Sequence, residues 1–190
     1  MDLMDVQTYM REARRFDNHQ EGRLIDALVH GVAAEVGEVM ACLADRNHGV
    51  DLLHELGDVK WNLIRLADEL GYDPNEFLRY GWGPAGGDTA EAYRLPIHAL
   101  KLSGVMEKWY RTTPTPWAVR DELAHHLHAA WQALSRLGYL HGYSPARVSQ
   151  ANIDKLARRY TERGLPVRDA VTTTGAPQAR SIPDTPEEQS

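Results

Sequence analysis

The sequence has a single cysteine, Cys42, so no internal disulfide framework holds the fold and packing must do so. Set in an apolar helical run, Cys42 reads as a small buried hydrophobe, and one thiol suits a reducing cytosol. No uninterrupted apolar run reaches the ~20 residues of a membrane span. The opening Met-Asp-Leu-Met-Asp lacks the basic-then-apolar order of a secretion signal. The expectation is a soluble cytoplasmic chain with no membrane partner. Lys and Arg number 21 against 27 Asp and Glu, a net charge of −6, and the basic residues are scattered. There is no stripe to neutralise a run of phosphates, which excludes long nucleic acid as a partner.

What is present is helical periodicity. Residues 5–15 lack Gly and Pro and place Val6, Tyr9, Met10 and Ala13 at helical spacing. From Leu24 to Leu43, Ile25, Leu28, Val29, Val32, Val36, Val39, Met40 and Leu43 recur every three or four positions, the period of a helix with one buried face. Arg46-Asn47-His48-Gly49 breaks the pattern. A third helix is predicted from about Asp51 to Leu70, with Leu52, Leu56, Val59, Leu63, Leu66 and Leu70 as a near-heptad stripe and Gly71 as its stop. The short connection predicts antiparallel packing of these two helices.

Residues 81–94, opening with Gly-Trp-Gly-Pro-Ala-Gly-Gly-Asp, read as a linker between two related halves, 1–80 and 95–165. His30, Glu55-Leu56 and Gly71-Tyr72-Asp73-Pro74 recur in order as His98, Glu122-Leu123 and Gly142-Tyr143-Ser144-Pro145. Residues 97–111 and 117–138 are then the second pair of helices, and Ala146 to Arg163 a closing helix entered through Ser144-Pro145. The fold class expected is all-α: an antiparallel helical bundle built by tandem duplication, an internal pseudo-dimer that is complete alone or pairs again as a homodimer. Residues 166–190, polar and proline-bearing, read as a disordered tail.

Two acidic pairs carry the chemistry. Glu35 and Glu38 sit three apart, as do Glu55 and Asp58, which puts each pair on one helix face with Cβ atoms ~5–6 Å apart. At ~100° per residue, each pair lies about 60° and 120° to one side of its helix's apolar stripe. Antiparallel packing of the two helices therefore brings all four to one cleft. Acidic residues that merely solvate a helix usually have Lys or Arg three or four positions away; none of these four does. Like charges beside an apolar seam repel unless a cation joins them. A hard divalent ion with oxygen ligands fits, magnesium best, because it accepts few carboxylates and completes its shell with water and substrate phosphates.

Glu-x-x-Glu followed by Glu-x-x-Asp, after an Asp-Val-Gln-x-x-x-x-Glu-Ala opening helix, resembles the MazG-like nucleotide pyrophosphohydrolases, relatives of the dimeric dUTPases and dCTPases. The segment Ala151-Asn152-Ile153-Asp154-Lys155-Leu156-Ala157-Arg158-Arg159-Tyr160 is similar to the segment that closes the domain in that family. The resemblance implies a nucleoside triphosphate pyrophosphohydrolase that uses Mg2+, or Mn2+ in its place, and releases a nucleoside monophosphate and pyrophosphate. It implies that Glu35, Glu38, Glu55 and Asp58 are metal ligands and catalytic residues, and that Asn152, Lys155 and Arg159 contact phosphate or sugar. Asn62, on the carboxylate side of its helix, is a further substrate-binding candidate. Glu38 is the preferred general base. The chain departs from the family in the long stretch between Asp58 and Asn152, which the duplication explains. In the second half His125 takes the place of Asp58, so one active site is expected, completed by the closing helix.

The alternatives are a degenerate bundle that binds a nucleotide or partner without turnover, and a di-iron carboxylate bundle, for which only Glu122 to His125 has the Glu-x-x-His spacing. His125, His126 and His128 point ~100° apart when consecutive and cannot all share a face, so they read as packing or surface residues. His30 and His98 also read as structural. The tryptophans read as core or interface, with Trp82 in the linker as the exception. The turn Asp17-Asn18-His19-Gln20 reads as a helix cap or a flap over substrate.

Overall fold

The periodic segments form six helices among the described residues: α1 (Val6–Arg15), α2 (Leu24–Ala44), α3 (Gly49–Glu69), α4 (Asp88–Arg111), α5 (Pro116–Leu140) and α6 (Pro145–Arg163). A computed structural model describes residues 6–16, 24–45, 49–73, 88–111, 116–165 and 167. Trp82, the Asp17-Asn18-His19-Gln20 turn and tail residues 168–190 lie outside the described residues.

The helices pack as an antiparallel bundle, with α2 against α3 and α4 against α5 as the two most extensive pairings. The hairpins join through α2 on α4 and α3 on α5, while α1 and α6 cover the remaining side of α3. That places α3 at the centre. Its predicted stripe, Leu52, Leu56, Val59, Leu63, Leu66 and Leu70, is buried in full. So are Asp58, Lys60, Asn62, Arg65 and Asp68 on its other faces. A helix buried all round must pair its polar groups, and α3 does. Arg65 and Arg14 both bind the Asp68 carboxylate. Lys60 Nζ donates to Ser149 Oγ at 2.6 Å and to the Pro145 carbonyl at 3.1 Å, and it faces the rings of Tyr9 and Trp131. Burial pushes its ammonium down to about 7.

Helix α6 has well-defined ends. Ser144 caps it by accepting from the Arg147 N–H, Pro145 opens its first turn, and Gly164 closes it with φ 60°. Its apolar face seats Val148, Leu156 and Tyr160. Gly57 sets how near it comes, since a Cβ there would stand 2.8 Å from Asn152 Cβ. Helices α3 and α5 end alike. Gly71 and Gly142 take φ 75° and 74°, and the following Tyr72 and Tyr143 N–H groups bond the carbonyls of Ala67 and Gly138 at 3.0 and 2.9 Å.

Two expectations are corrected. Helix α4 begins at Asp88, inside the segment expected to be linker, and carries Pro96 within it. Proline forfeits one backbone bond, but Leu95, Ala99 and Leu102 are fully buried on both sides of it and hold the helix through. Helix α2 is also long and apolar enough, by length and composition alone, to cross a membrane. Here Leu28, Val29, Val32, Val36 and Val39 are buried within the bundle. Cys42, expected to be buried, is only partly so and packs against the core.

Two helical glycines give opposite expectations. Gly57→Ala overpacks the α3–α6 contact and should lose about 1–3 kcal/mol. Gly104→Ala meets open space and should gain up to about 1 kcal/mol from helix propensity. Urea unfolding of the two variants checks both signs.

Candidate metal and phosphate site

Antiparallel packing of α2 and α3 gathers Glu35, Glu55 and Asp58, each offering an oxygen within 4.8 Å of the other two. Glu38, one turn further along α2, is exposed and is not part of that group. The stripe-edge geometry thus holds for three of the four carboxylates. The helix crossing leaves the fourth at the rim.

The second expectation about these residues changes more. They lack basic neighbours along their own helices, yet they are not without a cation. Lys155 on α6 donates to both Glu55 oxygens, at 3.3 and 3.5 Å, and to Asp58 Oδ2. Burial works against the Lys155 ammonium, but its bonds to and the charges of Asp58 and Glu55 outweigh that and hold it above the ordinary lysine range. A divalent ion is therefore not required for the cluster to exist.

Asn152, fully buried, fixes the other half of Asp58. Its Nδ2 donates to Asp58 Oδ1 at 2.7 Å, and its Oδ1 accepts from the Tyr9 hydroxyl at 2.8 Å. A carboxylate only accepts, so the amide must present its NH2 to Asp58 and its oxygen to the phenol. Burial, then the charge of Asp58, raises the Tyr9 phenol well above its usual range, so it stays a donor. Tyr9 had only an apolar role in the sequence reading, where nothing distinguishes a phenol that donates from one that packs.

One Lys does not balance three carboxylates. Burial, then the charges of Asp58 and Glu55, pushes Glu35 up to about 7 against the opposing pull of Lys155 and Arg159. The cluster holds a proton where it has room for more positive charge. An all-oxygen donor set in that condition fits a hard divalent cation.

No protein-family model, curated protein or solved structure matches the chain. The resemblance to the MazG-like enzymes therefore rests on the motifs alone.

Beside the acidic cluster opens a cleft of about 370 Å3, lined by Glu35, Asp58, Asn62 and Arg159 and walled by Trp61, Phe16, Tyr160, Leu156, Ala27 and Gly31. Asn62 Nδ2 is tied to the Asp58 carbonyl at 3.1 Å. Gly31 makes room for this amide, since a Cβ there would stand 2.4 Å from Asn62 Oδ1. Phe16 and Tyr160 meet edge to face at 5.1 Å, and Trp61 donates to the Ala13 carbonyl at 3.3 Å. Of the residues singled out by sequence, Glu35, Glu55, Asp58, Asn62, Asn152, Lys155 and Arg159 meet at this one place. The aromatic wall was missed because its members come from the turn after α1, from α3 and from α6 and share no local pattern.

A raised carboxyl pKa means that the folded protein binds more protons than the unfolded chain between about 4.5 and about 7. Stability from this group is then present at low pH and lost as pH rises through that window. Glu35→Gln should remove that decline. Denaturant unfolding of both proteins from pH 4.5 to 8 measures the difference, and parallel curves would show that Glu35 ionises normally.

Proposed function

We propose that the chain is a magnesium-dependent nucleoside triphosphate pyrophosphohydrolase. The observation that carries the reading is that one cleft is lined by two chemistries, the carboxylates of Glu35 and Asp58 with Arg159 and an aromatic wall, and that Lys155 bonds the same Asp58 carboxylate. A triphosphate joined to a planar base has the matching halves. Glu35, Glu55 and Asp58 would hold the ion, with Glu38 at the rim. Bound Mg2+ supplies charge neutralisation and Lewis-acid activation of phosphate and water. Lys155 and Arg159 bind phosphate oxygens as point charge and fork. Asn152 keeps Asp58 in one orientation. Trp61 and its aromatic neighbours take the base, with Asn62 at its edge. Water attacks the α-phosphorus, the bond from that phosphorus to the bridging oxygen breaks, and the electrons leave with pyrophosphate. The water's proton passes to a carboxylate.

We also infer that the two hairpins descend from one duplicated unit, so that α6 completes the only surviving site. Support comes from the matched ends of α3 and α5, where Gly71-Tyr72 and Gly142-Tyr143 close with the same bonds. One observation favours the rival reading of a binding module without turnover: Lys155 already pairs with two of the carboxylates.

Incubation with ribo- and deoxynucleoside triphosphates and Mg2+ or Mn2+ should release pyrophosphate and a monophosphate. Glu55→Gln and Asp58→Asn should lower the rate more than ~100-fold, and Asn152→Ala by the ~10–100-fold usual for a group that orients a ligand. Nucleotide binding by calorimetry with no pyrophosphate released would establish the binding module instead.

A further inference from the structure

Helix α4 carries His98 and helix α5 carries His126, which the bundle brings together with Nδ1 to Nδ1 at 3.3 Å and ring centroids 5.5 Å apart. A hydrogen bond between the rings accounts for the distance, with one Nδ1–H donating to the other's lone pair. So does a second arrangement. Two imidazole nitrogens each ~2.0–2.1 Å from a tetrahedral zinc ion stand roughly 3.3–3.4 Å apart, whereas right-angle coordination needs about 2.9 Å. Two neutral rings on neighbouring helices already hold the tetrahedral spacing.

We propose that His98 and His126 form a binding site for a borderline transition cation of the zinc class, which clamps α4 to α5. Imidazole nitrogens suit zinc, copper or nickel and do not suit magnesium or calcium. The surroundings reinforce that choice. Burial, then neighbouring basic groups that include Lys101, lowers the pKa of both rings and keeps them neutral, the form in which imidazole offers a lone pair to a metal. Glu122, one helical turn before His126, is a carboxylate whose charge acts on that ring, and it bonds Lys108 at 3.3 Å. Water completes the shell. Binding releases no net proton: the ring with hydrogen on Nδ1 moves it to Nε2, and both Nδ1 lone pairs then face the ion. No residue of α4 or α5 lines the acidic cleft, so the site stands or falls independently of the proposed hydrolase.

The test uses untagged full-length protein titrated with Co2+ and then with Zn2+. One equivalent of Co2+ should give the intense d–d absorption of a tetrahedral centre, and Zn2+ should displace it. Glu55→Gln should keep the band. His126→Gln and the more exposed His98→Gln, each verified as folded by circular dichroism, should weaken binding at least about tenfold, the scale of losing a group that a metal needs. Zn2+ should shift the side-chain 15N resonances of both histidines and raise the Tm of the wild type but not of His98→Gln. Absence of the band, its persistence in both histidine variants, or its loss only in Glu55→Gln would overturn the site and leave a hydrogen bond as the whole account.

Discussion

The carboxylate of Asp58 sits on a helix buried on all sides, and much of the molecule is arranged around that fact. Taking a carboxylate out of water costs several kcal/mol unless it is paired and hydrogen-bonded. Asp58 is 8% exposed, and both of its oxygens are met from α6, by the Asn152 amide and the Lys155 ammonium. These contacts require α6 to dock at one height and close to α3. Gly57 permits the approach, and the caps at Ser144 and Gly164 define the helix that makes it. Tyr9 extends the same constraint to α1 through Asn152. One buried charge thus couples three helices that have no continuous sequence in common.

The coupling leaves an imbalance beside it. Asn152 is neutral, and Lys155 is shared between Glu55 and Asp58, so burial and then the charges of Asp58 and Glu55 leave Glu35 holding a proton up to about 7. The three carboxylates together are a candidate site for a cation. In the proposed reaction, Lys155 has a role both before and after an ion arrives, first against carboxylate and then against phosphate. The cleft next to it owes its aromatic wall to the same docking, since Phe16, Trp61 and Tyr160 meet only where α1, α3 and α6 converge.

Burial shapes the other polar groups of α3 in the same way. Asp68 is answered by Arg65 on its own helix and by Arg14 from α1, and Lys60 by Ser149 and a carbonyl from α6. Asp68 and Lys60 are thus each bonded from a second helix. Such pairs are costly to break singly and so favour one packing arrangement over its neighbours.

The sequence by itself determined the helices, most of their limits, the buried stripes of α2 and α3, the caps at Gly71 and Gly142, and the shared face of each acidic pair. All of these depend on residues within one or two turns of each other, and helical period reads such spacing directly. It also pointed to Asn152, Lys155 and Arg159 through a motif resemblance. It misjudged the start of α4, because the Gly- and Pro-rich run before it reads as a linker, whereas packing on both sides of Pro96 carries the helix back to Asp88. Only the tertiary structure decided that Lys155 supplies the cation the acidic pairs lacked, that Glu38 stays at the rim, that Tyr9 orients Asn152, and that His98 meets His126. Those outcomes depend on how far and at what angle helices cross, and residues separated by a whole hairpin leave no periodic trace of it.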